Sequence, residues 1–348
     1  MKKIATLIFL LSHLISNAQK SIQEQVNSRL IDLHEVKDND ENFEGFERLK
    51  SEIGDAKIVM LGEQSHSDAT TFETKIKLIK YLHQEMDFEI LAFESGIYDC
   101  HKAWTMIENG HNVKDALAKG IYTVWSTLEE LNPLYDYAEQ QLYRGNPLMF
   151  AGFDSQFMTR LADDYFEDDL IAYLTNFADI SLHEKELKQL GFTLNKIKEG
   201  KKSKKKVALE NIEFIQKMIS KIELEKEDEL SDFWVQSLKS LEVYISDRHL
   251  KTDNRDQQMA ANLVWLKEKY PNKKIICWGA TSHFLYNSSL IEMENKLIQK
   301  AAGSYYKDHS MMGDYIKEKY GDDVYTICLL YTSPSPRDRT RSRMPSSA

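Results

Sequence analysis

Cysteine is scarce in this chain of 348 residues: there are three, Cys100, Cys277 and Cys328. An odd number scattered singly makes neither a disulfide framework nor a metal-ligand spacing. Cys277 and Cys328 lie in apolar runs and read as small buried side chains. Long apolar runs are also missing. Past the N-terminal segment no stretch approaches the roughly 18–20 residues needed to cross a bilayer, so no membrane insertion of the mature chain is expected. Positive charge is in deficit, with 45 Lys+Arg against 55 Asp+Glu, a net of −10. Residues 1–18 hold Lys2 and Lys3 and no acid, and residues 331–348 hold four Arg and one Asp. The body, 19–330, is therefore left with 39 bases against 54 acids, or −15. Phosphate binding needs clustered Lys and Arg, so this balance argues against a nucleic-acid partner and an anionic membrane surface. A hydrophobic content of 42% with 29% charged residues excludes general disorder. The body is long enough for a sizeable core, and it contains no short internal repeat.

The two ends differ from the body. In MKKIATLIFLLSHLISNA, Lys2 and Lys3 form a charged n-region, Ile4–Ile15 an apolar run, and Ser16-Asn17-Ala18 a small-residue site before Gln19. This pattern reads as a secretory signal peptide cleaved after Ala18, placing the protein in the periplasm or outside the cell. No cysteine follows the apolar run to carry a lipid. The last eighteen residues hold three of the six prolines and four of the ten arginines without one lysine. That composition reads as a non-native, disordered tail, translated from a sequencing adaptor, and it is set apart from the fold.

Five short apolar runs read as buried strands: Lys57–Leu61, Glu89–Phe93, Leu148–Phe153, Lys274–Trp278 and Val324–Leu330. Between the first two, Phe72, Ile76, Ile79, Leu82 and Met86 recur at helical spacing. Strand, helix and strand in under forty residues predict a βαβ unit with its two strands paired in parallel. From about 158 to 250 the pattern changes. Ile212, Ile215, Ile219 and Ile222 form one stripe, and Trp234, Leu238, Leu241 and Ile245 another. These predict long amphipathic helices inserted as a hairpin or bundle. The run Lys198–Lys206, KEGKKSKKK, reads as a solvated loop between helices. The expected fold is α/β, a mostly parallel sheet flanked by helices, with this insertion.

Ligands of open parallel sheets sit outside the carboxyl ends of the strands. There the first strand runs into Gly62-Glu63-Gln64-Ser65-His66, the second into Glu94-Ser95-Gly96, the third into Asp154 and the fourth into Gly279-Ala280-Thr281-Ser282-His283. Two histidines and three carboxylates thus converge on one edge from distant parts of the chain. Neutral imidazole is the best side-chain base near pH 7, and a carboxylate partner fixes its tautomer. His66 sits ahead of the Phe72–Met86 helix, whose N-terminus favours negative charge. Ser65 lacks a G-x-S-x-G elbow, so a histidine-activated water suits these residues better than an acyl-enzyme. Arg255 opens a helix over Asp256–Lys269, with Asp253 as the expected cap, and taken alone it could be a surface ion pair.

These segments carry a family resemblance. Leu61-Gly62-Glu63-Gln64-Ser65-His66, Phe93-Glu94-Ser95-Gly96, Gly152-Phe153-Asp154, the helix from Arg255-Asp256 through Met259, Ala260 and Asn262 to Trp265, and Trp278-Gly279-Ala280-Thr281-Ser282-His283 follow in order. Met312-Gly313 and the downstream GDDVYTI complete them. From about 45 to 330 the chain resembles the erythromycin esterase family. The resemblance implies an α/β core with a deep cleft and hydrolysis of a macrolide lactone ester by water, with no required cofactor or metal. Carried over, His66 is the general base, Glu63, Glu94 and His283 order the water and the imidazole, and Arg255 stabilises the oxyanion or pairs with a carboxylate. Lys75 and Asp154 are the expected substrate-binding residues. Ser67 stands where the family often has glycine, and Thr71-Phe72 and Lys75 stand where macrolide-active members carry Glu-Phe and an arginine. Lysine is a point charge and not a planar fork, so an anionic group would be held differently.

Three readings follow. In the first, the protein is a metal-free carboxylic ester hydrolase acting on a small-molecule ester. In the second, Glu63, His66, Glu94 and His283 are nitrogen and oxygen ligands of zinc or manganese in a metal-dependent hydrolase. In the third, an exported binding protein holds a small ligand in the same cleft without turning it over.

Overall fold

The computed structural model describes residues 42–329 except 67, 177, 179, 181, 199–203, 226–228 and 291–303. The N-terminal segment, the C-terminal tail and most of the lysine-rich run fall outside the described residues. Each of the five apolar runs forms a strand: β1 Ile58–Glu63, β2 Phe88–Gly96, β3 Met149–Asp154, β4 Lys274–Ala280 and β5 Val324–Cys328. They make one wholly parallel sheet in the order β3-β2-β4-β1-β5. β1 is buried along its whole length and β4 at all but its two end residues, as continuous apolar runs require. β5 is an edge strand with a mixed pattern, so Cys328 is exposed while Cys100 and Cys277 are buried, and all three are free thiols. Burial of Cys328, expected from its apolar neighbours, therefore fails.

β1 and β2 are parallel but do not pair. The crossover between them passes over β4, which arrives from nearly two hundred residues further along and hydrogen-bonds to both. Local pattern establishes a parallel crossover, whereas strand adjacency depends on what else enters the sheet. The crossover helix, α2 (Ala69–Met86), follows a short α1 (Glu47–Ile53) and buries Phe72, Ile76, Ile79, Leu82 and Met86. Its N-terminus is already capped: Asp68 accepts from the backbone N–H of Thr71 at 3.3 Å and from its hydroxyl at 2.5 Å. The anion-favouring end expected beside His66 is thus taken by the protein's own carboxylate.

After β2 come α3 (Ile97–Glu108), α4 (Val113–Gly120), α5 (Thr123–Ser126) and α6 (Asn132–Tyr143). Among the described residues between β3 and the helix that leads to β4 lie α7 (Arg160–Asn176), α8 (Glu184–Lys198), α9 (Lys205–Glu225) and α10 (Glu229–Leu250). The isoleucine stripe of α9 and the Trp234, Leu238, Leu241, Ile245 stripe of α10 are buried in one apolar cluster with Phe166 and Leu170. Tyr98 of α3 joins that cluster and donates to Asp169 at 2.6 Å, which fastens the helical group to the sheet layer.

The helix α11 (Arg255–Lys269) leads into β4 and explains its own motif. Met259, Leu263 and Leu266 pack on the sheet. Buried Asn262 donates to the carbonyl of Phe153 at 2.9 Å and accepts from Gln236 at 2.7 Å. One amide therefore ties α11 to both β3 and α10, which fixes where Arg255, two turns earlier, enters the sheet edge. Asp253 is not the cap. Asn254 holds that position without a side-chain bond, and Asp253 accepts instead from Tyr305 at 3.3 Å.

Candidate active site

The strand-end residues meet at the carboxyl edge of the sheet in two clusters on either side of β4. Glycines make this approach feasible. A Cβ on Gly279 would lie 2.9 Å from Oε2 of Glu94, and one on Gly152 would lie 2.5 Å from the carbonyls of Ser95 and Gly96. Neither position admits a side chain without displacing a carboxylate or backbone.

The first cluster is built on Glu63, the last residue of β1. Its Oε1 lies 2.7 Å from Nδ1 of His66 and accepts from Nε1 of Trp125 at 2.7 Å. Its Oε2 accepts from Lys75 of α2, which also donates to the carbonyl of Gly279 at 3.1 Å. The Lys75 ammonium sits 4.5 Å from the centroid of the Trp278 ring. Burial lowers the pKa of Lys75, opposed by the charge and hydrogen bond of Glu63. The hydrogen bond to Glu63 raises the pKa of His66 above its ordinary 6.5, against a smaller loss from burial, and the charge of Glu94 adds to the rise. With Nδ1–H committed to Glu63, the neutral ring offers its lone pair at Nε2. The His66 side chain is 40% exposed, whereas Glu63 and Lys75 have no exposed side-chain surface.

The second cluster is built on Glu94 and Asp154. The guanidinium of Arg255 bridges them, donating from Nε to Oδ1 of Asp154 at 3.0 Å and from Nη2 to Oδ2 of Asp154 at 2.6 Å and Oε1 of Glu94 at 2.9 Å. Such a fork across two carboxylates is the geometry arginine suits and lysine does not. His283 lies with Nδ1 2.8 Å from Asp256 and Nε2 3.4 Å from Glu94. Asp256 also accepts from the backbone N–H of Met312 at 2.8 Å. Burial disfavours the charged imidazole, but Asp256 and Glu94 outweigh it and push its pKa up to about 10. Burial likewise acts against ionised Glu94, but His283, Arg255 and the Ala280 N–H hold it at about 2.

These two shifts define a stability window. Glu94 contributes fully above its ordinary 4.5 and loses the contribution as pH falls through about 2. His283 contributes fully below 6.5 and loses it as pH rises through about 10. The stability difference between wild type and His283→Gln in urea should therefore be largest between about pH 4.5 and 6.5 and shrink steadily toward pH 10. A difference that stays flat across that alkaline range would contradict the assignment of His283 as an internal imidazolium.

Sequence reasoning brought Glu63, His66, Glu94, Asp154 and His283 to this edge, and the structure places all five there. Lys75 and Asp154, expected to bind substrate, are instead sealed in buried ion pairs and present no surface to a ligand. His283 faces Glu94 and Asp256 and makes no bond with the His66 imidazole. Arg255 is a carboxylate partner, and the surface ion-pair reading fails because its partners are buried. The metal set does not assemble. Lys75 and Arg255 occupy the carboxylates that would be ligands, and no three His, Cys, Asp or Glu side chains among the described residues come together to hold an ion. Three residues were missed. Asp256 had a signal, standing beside Arg255 in the motif. Tyr122 and Trp125 had none: they lie in a short turn far in sequence from every strand end.

The architecture and site define a parallel α/β protein with a carboxylate-held histidine at its sheet edge. The sequence model of the erythromycin esterase family matches residues 83–335, so the chain belongs to that family. The match begins after Glu63, His66 and Lys75, so these three lie outside it. A relative from Bacillus subtilis (strain 168), named "Putative hydrolase YbfO", is 28% identical over 319 residues, covering 85% of this chain and 69% of its own. The crystal structure of a succinoglycan biosynthesis protein superposes with a TM-score of 0.65 at 18% identity, covering 89% of this chain and 75% of that one. A mutant of the erythromycin esterase EreC in its open conformation gives a TM-score of 0.62 at 17% identity, covering 82% and 73%. The two structures speak for the fold, and the family and the relative support a hydrolase.

Proposed function

We propose that the protein hydrolyses a carboxylic ester, with His66 as general base to water. The observation that carries this reading is the 2.7 Å contact of Nδ1 with Glu63, which leaves the opposite nitrogen of a part-exposed imidazole as a base. His66 Nε2 takes a proton from water while the water oxygen bonds to the ester carbonyl carbon. The tetrahedral intermediate then expels the alcohol oxygen, which recovers the proton from His66. Acid and alcohol are released and the enzyme is unchanged. Nη1 of Arg255 lies 3.4 Å from Nε2 of His283, and neither carboxylate of the second cluster takes a bond from that Nη1. Two donors facing one another suit a shared acceptor, and we assign the developing oxyanion to them. A macrolide lactone is the substrate class that family membership favours.

The test is incubation with erythromycin and with p-nitrophenyl acetate, following the mass gain of one water or the release of nitrophenol. His66→Ala should lower the rate by about 100- to 10,000-fold. Because protonated His66 cannot act as a base, kcat/KM should rise with pH through a midpoint above 6.5. Tight binding of erythromycin that survives the His66 substitution, with no product from either protein, would leave a ligand-binding protein in place of an enzyme.

A further inference from the structure

One short turn touches both clusters. Trp125, in α5, donates its indole N–H to the same Oε1 of Glu63 that holds His66, and its ring stands edge-on to the imidazole at 5.2 Å and 89°. Tyr122, three residues earlier, lies nearly parallel to Trp125 at 6.1 Å and 12°. Its hydroxyl lies 3.0 Å from Oδ2 of Asp154 and 3.2 Å from the carbonyl of Gln156, and its backbone N–H donates to Ser95 at 3.0 Å. Both rings are held at several points, so they can act as a rigid spacer between the β1 cluster and the β2–β3 cluster.

We infer that Trp125 is a positioning residue for His66, acting through Glu63, with Tyr122 as its buttress against Asp154. This rests on the reading of His66 as the base. The physical case is competition at one oxygen. Oε1 of Glu63 divides its acceptor capacity between the indole N–H and the imidazole N–H. The indole therefore limits how strongly Glu63 can hold His66 in its protonated form, while the perpendicular ring restricts imidazole rotation. A base needs both controls: too strong a hold on the proton keeps it charged, and a loose ring misdirects Nε2. Lys75 cannot substitute, because it binds the other carboxylate oxygen.

The test reads His66 itself and not only turnover. In the full chain labelled with ¹⁵N-histidine, Trp125→Phe keeps an aromatic ring and removes the N–H. It should move the His66 titration midpoint upward by about 0.5 pH unit, since Glu63 then bonds His66 alone. With p-nitrophenyl acetate, kcat should fall about tenfold with KM little changed, and the acid limb of the rate profile should move with the NMR midpoint. A folded Trp125→Phe protein whose His66 midpoint equals that of wild type overturns the inference. If that variant does not fold, the wild type decides: one indole N–H resonance, lost from titration in His66→Gln, should shift with the His66 midpoint. No such resonance would equally overturn it. If His66→Ala hydrolyses the ester as fast as wild type, the proposed reaction falls, while the titrations still decide the role of Trp125.

Discussion

Arg255→Met should lower the unfolding free energy by about 3–5 kcal/mol at pH 7, the range for removing one partner of a buried ion pair. The substitution keeps most of the side chain's length and removes only the fork. Asp154, with no exposed side-chain surface, would then keep, among the described residues, the hydroxyl of Tyr122 and a long backbone bond from Gln156 at 3.3 Å. Glu94 would keep His283 and the Ala280 N–H but lose the nearer of its two cations. The deficit should lessen as pH falls, because protonating the stranded carboxylates removes the charge that has become costly to bury. Urea denaturation at pH 7 and pH 5 measures both effects. A loss below about 1 kcal/mol at pH 7 would mean that Arg255 behaves as an exposed ion pair after all.

A comparable loss is expected for Lys75→Met, with a different dependence on pH. Lys75 is the buried counter-charge of Glu63, and its removal leaves His66 as its ion-pair partner among the described residues. Lys75 also acts to lower the pKa of His66, so His66 should hold its proton to higher pH in the variant. Stability should drop by about 3–5 kcal/mol at a pH above the His66 midpoint measured in the variant, where the imidazole is neutral, and by less below that midpoint, where it is charged. The acid limb of the rate profile should move to higher pH with it, and each unit of upward shift costs about tenfold in rate on that limb. Parallel urea melts and pH–rate profiles would show the two effects together. Equal destabilisation above and below that midpoint with an unmoved rate profile would mean that His66 and Lys75 do not compete as counter-charges. The second prediction also bears on the family resemblance. Lys75 is an expected substrate-binding cation, yet here it is enclosed by Glu63, the Gly279 carbonyl and the Trp278 ring. Its identity therefore bears on the charge state of His66 and not on direct recognition of a substrate.

Much of the site could be read before the fold was seen, and the reason is local. In a parallel sheet the carboxyl ends of all strands share one edge, so Glu63, Glu94, Asp154 and His283 were bound to gather once their strands were recognised. Glu63 and His66, three residues apart on one turn, were likewise destined to meet. Asp256 escaped because its value depends on where α11 crosses the sheet, which Asn262 fixes through contacts to β3 and α10. Trp125 and Tyr122 escaped for a stronger reason. No periodicity or spacing links a turn after α4 to the end of β1, and only the closed fold brings the indole to Glu63.

The sequence by itself determined the five strands, the crossover helix, the amphipathic helices after β3 and the inventory of acid and base groups at one sheet edge. These follow from apolar runs, helical periodicity and the parallel rule, all of which act over short stretches of chain. Only the tertiary structure decided which cation neutralises which carboxylate. That outcome turns on β4 entering between β1 and β2, which separates the groups into Glu63 with His66 and Lys75 on one side and Glu94 and Asp154 with Arg255 on the other. Pairing of buried charges is a matter of a few ångströms, and strand order, which no local pattern encodes, sets those distances.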